Sequence, residues 1–439
     1  MPVEERATGI SGKRHVSLVL LILALIGVAL VVSHYSTVKP PIRIGVLHSL
    51  TGSTAESEKP LMDAIRLAIE EANATGGIKG QKIEAVIADC RSDAAYCAEE
   101  AERLITLEQV QALFGCWTSS CRKAVKKVVE KHHHMLFYAL RYEGMEQSPN
   151  ILYGGAAPNQ QIMPAVHWAL VNLGNRGEPG QRGIHGGYGK RIYLTGSDDD
   201  FSRVASILIK DLLAAHGATV AGERYIPAGF PGMDDLAADI AGRRPDMVLN
   251  TVSGIDNVAF FRALQKKGIT SDKIPVLSFS ITEVELSDEE MPAMAGNYAA
   301  RNYFQSIRGA ENEAFVSRFR DRYGQNAVVD GPTEASYVNL QMWVQAALEA
   351  ESGDAAQVQR TILRQSLPAP EGLISVDPAT RHVWKIARVG RARGDGQFDI
   401  VWDSGRPLEP APFPSYRSRE EWDQLLRSRE EASSGSASP

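Results

Sequence analysis

The chain has few cysteines, no excess of basic residues and none of the short signatures that mark catalytic loops. Four cysteines among 439 residues are too few for a disulfide scaffold, and they lack zinc-finger spacing. A net charge of −6 leaves no surplus of cations to neutralise phosphates, which argues against a nucleic-acid partner. No Walker loop occurs, and no GxGxxG follows the first strand. Gly196-Ser197-Asp198 lacks the flanks of a nucleophile elbow. With no nucleophile beside a base, no catalytic residue is expected, and no cofactor or metal. His132-His133-His134 sits at a helix end, where consecutive side chains point apart and cations are favoured without a metal. Asp198-Asp199-Asp200 reads as a solvated turn with one member facing inward.

What is present is the composition of a soluble globular protein, 44% hydrophobic and 23% charged, in a chain long enough for two lobes. One apolar run covers 16–32, about 17 residues, behind the basic flank Lys13-Arg14-His15. It reads as an export signal, either cleaved before His34 or retained as a membrane anchor with the basic side inside. A buried helix is the remaining alternative. Both leading fates put residue 39 onward in the periplasm or on the outer side of the cell envelope. Residues 1–41 then form a cytoplasmic tip, a signal or anchor helix and a linker.

From residue 42 onward, β-rich apolar runs alternate with helical ones. Strands are expected near 42–47, 83–88, 110–114 and 135–138. The pattern restarts after 159, with strands near 191–194, 218–226, 247–251 and 276–279. Regular alternation of this kind makes a parallel sheet covered by helices, and its length calls for two doubly wound lobes, an α/β architecture. The last third breaks the rhythm: an extended stretch at 295–304, helices at 311–323 and 332–350, then short antiparallel strands. A Gly-rich surface insertion is expected at 175–190 and a disordered tail at 417–439. Cys90 and Cys116 end consecutive strands and are placed to pair, with Cys97 and Cys121 as a second bridge; four free buried thiols are the alternative.

Ligands in open parallel sheets bind beyond the carboxyl ends of the strands, so the strand-to-helix loops carry the candidate residues. Those loops are rich in Ser, Thr, Gly, Asp and aromatics, and helix N-termini there offer free N–H groups to a carbonyl or carboxylate oxygen. The string FGCWTSSCRKAV at 114–125 resembles the pocket loop of urea- and short-amide-binding proteins. LFYALRYEGMEQSPNILYGGAAPNQQIMPAV at 136–166 resembles the segment after it. VLHSLTGS, NTVSGIDNVAFF, SFSITEVEL, NYFQSI and APEGLISVDPATRHVWKIARVG add to the likeness, which covers 42–416. The chain is similar to the urea- and amide-binding components of ABC importers and to the amide sensor of amidase operons.

The resemblance implies a type I periplasmic-binding fold with three strands crossing between lobes. By that likeness the lobes are 42–157 plus 298–383 and 158–297 plus 384–416. The implied role is delivery of a urea-like, amide or related small polar solute to an ABC permease. A membrane-anchored sensing ectodomain acting with a receptor kinase is the alternative. The implied ligand contacts are Trp117, Thr118 and Ser119 in the first loop and Tyr138 and Tyr142 in the next. Asp199 and Phe201 contribute from the opposite lobe, and Asp256 and Glu283 sit in loops that face the same cleft. Each also has a plainer reading: Trp117 and the tyrosines as packing, Ser119 as a helix cap. Two positions depart from the family pattern. Arg141 brings a planar fork suited to a carboxylate, and Asp199 an acceptor suited to an ammonium. These departures predict a solute larger or more charged than urea, amino-acid-like or guanidino, unless Arg141 and Asp199 merely latch the lobes together or the pocket is degenerate and binds nothing.

Overall fold

The first apolar stretch after residue 41 forms β1 (Ile42–His48), and it is buried on both faces, as a central strand of a covered parallel sheet must be. Alternate residues enter opposite cores: Ile44 and Val46 one, Leu47 the other. The computed structural model describes residue 16 and residues 18–27, 39–173, 190–286 and 291–435. The first sheet runs β2-β1-β3-β4-β5, all parallel, with β2 (Ile83–Asp89), β3 (Leu113–Gly115), β4 (Leu136–Tyr138) and β5 (Ile151–Tyr153). Helices α1 (Ala55–Ala74), α2 (Ala94–Thr106) and α3 (Ser119–Lys131) link its strands. In α1 the helically spaced Leu61, Ala64, Ile65, Ala68 and Ile69 are all buried.

The second sheet contains β6 (Arg191–Ser197), β7 (Thr219–Ile226), β8 (Met247–Thr251), β9 (Val276–Ser278) and β10 (Tyr298–Arg301). These pair in parallel in the order β7-β6-β8-β9-β10. Helices α4 (Ile162–Asn172), α5 (Asp200–Ala215), α6 (Met233–Arg243), α7 (Asp256–Lys266) and the single turn α8 (Glu283–Leu286) belong to this lobe. Two apolar cores lie against this sheet, with Leu249 in one and Val248 in the other. Helices α9 (Ala310–Tyr323), α10 (Gly331–Ala350) and α11 (Ala355–Thr361) return to the first lobe. There Trp343 of α10 is fully buried, edge-on to Phe114 at 6.1 Å. The hairpin β11 (Ser366–Ala369) and β12 (Gly372–Ser375) follows. Then β13 (Arg388–Ala392) and β14 (Phe398–Asp403) extend the second sheet antiparallel.

The chain therefore passes between lobes at 154–161, 302–305 and 383–387. Side-chain amides stitch these passes together. Gln160 Nε2 donates to the carbonyls of Val383 and Leu408, both at 2.9 Å. Asn302 Nδ2 donates to Gln160 at 3.0 Å and Ile386 at 2.9 Å.

Three expectations change. β10 pairs with β9 in the second sheet, so the chain crosses back after Arg301, not before residue 298. The tail expected to be disordered is helical in α12 (Arg419–Gly435). Trp422 has no exposed surface and donates Nε1 to the Pro414 carbonyl, and Arg417 holds Asp211 through two hydrogen bonds. The cysteines pair as Cys90–Cys97 and Cys116–Cys121. The reason is sheet order: β1 lies between β2 and β3, so the strand ends carrying Cys90 and Cys116 are not neighbours. For the run at 16–32, residues 16 and 18–27 are helical, and residues 17 and 28–32 lie outside the described residues. Among the described residues no helix is long and apolar enough to cross a membrane. The insertion expected at 175–190 lies outside the described residues up to 189.

Candidate functional site

The loops that leave the carboxyl ends of the two sheets meet. Arg141, three residues past β4, reaches the opposite lobe. Its Nη2 donates to Ser280 Oγ at 2.6 Å, and its guanidinium carbon stands 4.5 Å from the centre of the Phe201 ring. Lys123 of α3 pairs with Asp200 of α5 at 2.9 Å. Behind these contacts lies a cavity of about 40 Å³ at the crossings. Its walls include Arg141, Arg301, Glu334, Glu371 and Lys385.

The charges around this cavity are incompletely matched. Arg301 donates Nε to the Ile281 carbonyl at 2.9 Å, but its Nη2 is buried without a partner among the described residues. Arg141 Nε is in the same position, and so is Glu371 Oε2. Burial, with Arg301 nearby, pulls the Arg141 pKa down to about 9, and burial also lowers that of Arg301. Burial, helped by Glu371, pushes Glu334 up to about 8. A buried donor or acceptor left unpaired costs ~1–3 kcal/mol, more when charged.

A family model for the periplasmic binding protein domain matches residues 42–419. The chain belongs to that family. The Leu/Ile/Val-binding protein homolog 7 of Brucella abortus (strain 2308) is 32% identical over 330 residues, 73% of this chain and 80% of the relative. A solute-binding protein of an ABC transporter from Rhodopseudomonas palustris BisB5, solved with 3,4-dihydroxybenzoic acid, shares the fold. Its TM-score is 0.71 at 18% identity, covering 83% of this chain and 97% of that one. A leucine-binding protein of Thermotoga maritima MSB8 gives a TM-score of 0.70 at 18% identity, covering 82% and 98%. The chain spans less than two thirds of the length of the first curated relatives it matches.

In this periplasmic binding protein the residues singled out from sequence divide into those at the cleft and those committed elsewhere. Arg141 and Phe201 meet across it. Trp117 is partly buried beside a second cavity, of about 30 Å³, lined also by Cys90, Cys116, Thr118 and Cys121. Thr118 is exposed and caps α3, accepting from Cys121 N at 3.1 Å. Ser119 is buried behind that cap, donating to Glu143 Oε2 at 2.6 Å and accepting from Arg122 Nη1 at 3.1 Å. Tyr138 and Tyr142 stand beneath it, flanking the guanidinium of Arg122 at 5.1 and 4.9 Å. Arg122 has no exposed surface. Burial opposes its charge, but Glu146 and Glu143 more than offset that and hold its pKa above the usual value. This network fixes the floor beneath the loop at 116–119 and commits the Ser119 hydroxyl proton to Glu143.

Asp199 does not pair with Arg141 as a latch; its carboxylate caps α5 by accepting from Ser202 N at 2.7 Å. Asp256 accepts from Gly229 N at 3.0 Å and stays within its own lobe. Glu283 is buried next to the cavity wall, not in it, and accepts from Gln305 N at 2.7 Å. Burial pushes its pKa up to about 8. Arg301, Glu334, Glu371 and Lys385 were not singled out from sequence. For Arg301 the signal was a charged residue closing the apolar run Tyr298-Ala299-Ala300.

Proposed function

We propose that the chain is the solute-binding component of an ABC importer, working outside the cytoplasm, and that its solute is a small organic acid. The observation that carries the reading is the pair of buried arginines, Arg141 and Arg301, which line one cavity at the crossings between lobes and each keep an N–H group without a partner among the described residues. A carboxylate is the anion that matches such planar forks, and placed there it supplies the missing acceptor for both. Leucine and 3,4-dihydroxybenzoic acid, named for the two solved relatives, are both carboxylic acids. The unpartnered Glu371 Oε2 on the same wall favours a solute that also carries an amino group. A neutral urea or amide brings no charge to set against either guanidinium, so it is the weaker candidate.

Closure on the solute uses the three crossings as hinges, and release leaves the solute chemically unchanged. A thermal-shift panel of α-amino acids, hydroxybenzoates, urea and short amides tests this. A ligand specific for the folded state at 100 times its Kd stabilises it by ~2.7 kcal/mol. Stabilisation by at least one acid, with the acid recovered intact, is expected. Stabilisation by urea or an amide alone, or conversion of the solute, would overturn the reading.

A further inference from the structure

The two disulfides lie against each other. Cys97 Sγ of one bridge and Cys121 Sγ of the other are 3.4 Å apart, and the sulfurs of Cys90, Cys97 and Cys121 all lie within 4.8 Å of one another. Each bridge staples a strand end to the first turn of the following helix: β2 to α2, and β3 to α3. The touching sulfurs are therefore the two helical ones, both in a first turn, where free N–H groups and the helix dipole favour a thiolate. Cys90, Cys116 and Cys121 line the small cavity beside Trp117, whereas Cys97 has no exposed surface.

We infer that this cluster is a thiol–disulfide exchange site, taking a small dithiol as its reductant and ending in a third pairing, Cys97–Cys121. An external thiolate entering the cavity attacks Cys90. The Cys90–Cys97 bond breaks, its electron pair goes to Cys97, and a mixed disulfide forms at Cys90. The Cys97 thiolate then attacks Cys121. The Cys97–Cys121 bond forms, the Cys116–Cys121 bond breaks, and Cys116 leaves as a thiolate and is protonated. The second thiol of the reductant resolves the mixed disulfide at Cys90. Overall one dithiol is oxidised to its disulfide, two protein bridges become one, and two protons end on Cys90 and Cys116. Those two thiols do not recombine, because β1 separates the strands that carry them. The product ties α2 to α3 and releases the staple on the loop bearing Trp117 and Thr118, so the redox state of the cluster acts on one lip of the cleft.

The wild-type protein is treated, folded, with one equivalent of dithiothreitol, alkylated, digested and mapped by mass spectrometry. Alkylation at Cys90 and Cys116 with a peptide joined through Cys97 and Cys121 is expected. Alkylation confined to one original pair, or chains carrying only none or four labels, overturns the proposal. A second arm needs no reductant. In Cys116→Ala the lone Cys121 thiol attacks Cys97 and displaces Cys90, so the alkylated residue is Cys90. Label on Cys121, with Cys90–Cys97 intact, overturns the proposal equally. Neither arm depends on which solute the protein binds.

Discussion

Replacing Arg141 with methionine separates binding from folding. The Arg141 guanidinium has the hydroxyl of Ser280 and the face of Phe201 as partners, and its Nε has none among the described residues. Exchanging a poorly compensated buried charge for an apolar residue of similar length is neutral or stabilising by about 1–4 kcal/mol. With a carboxylate bound the sign reverses. A hydrogen bond to a charged group contributes ~1.5–3 kcal/mol, so its loss weakens binding about 10- to 150-fold. Arg141→Met should therefore melt at or above the wild-type temperature and lose most of its response to the solute. Thermal unfolding and titration calorimetry on both proteins read the two effects separately. A variant that melts several degrees lower yet binds as wild type would refute the reasoning, because Arg141 would then be a latch between lobes and not a solute contact.

Glu283 makes stability depend on pH. Its folded-state pKa of about 8 stands above the ordinary 4.5, so across that window the folded protein keeps a proton that the unfolded chain has released. Stability falls as pH rises from about 4.5 and the loss is complete above about 8. In Glu283→Gln the slope is shallower, since Glu334, shifted in the same direction, still contributes; urea unfolding at pH 5, 6.5 and 8 checks this, and an unchanged slope counts against it. Trp343→Ala, in the first lobe's core, should cost about 3–5 kcal/mol in denaturant unfolding while leaving solute preference unaltered. Trp422→Ala should free α12, seen as rapid proteolysis after residue 416 with little change in solute affinity; protection equal to wild type would mean that the Arg417–Asp211 pair suffices.

The alternation of strands and helices was legible because both sheets are covered on both faces, which makes each strand a continuous apolar run bounded by a helical pattern. Sheet order was not legible. The sequence runs β1, β2, β3, but β1 lies between β2 and β3, and the expected Cys90–Cys116 bridge failed for that reason. The strand-end loops drew attention to Arg141 and Phe201, which meet between the lobes, yet the same loops also hold the caps that start helices. Asp199 and Thr118 bear the residue types of a polar pocket and serve as N-caps. Arg301, Glu371 and Lys385 were missed because they come from separate crossing segments whose meeting is a tertiary fact. The tail read as disordered because it is charged and poor in apolar residues. One tryptophan with a buried seat and a paired arginine are enough to dock it.

The most direct measurement compares each candidate acid with its own amide, leucine with leucinamide and 4-hydroxybenzoate with 4-hydroxybenzamide, by calorimetry on the wild-type protein. If the cleft holds a carboxylate between Arg141 and Arg301, the acid that binds does so at least about 10-fold more tightly than its amide, in line with the ~1.5–3 kcal/mol of a charge-assisted hydrogen bond. Equal or tighter binding of the amide, or binding of urea where no acid binds, would contradict the account.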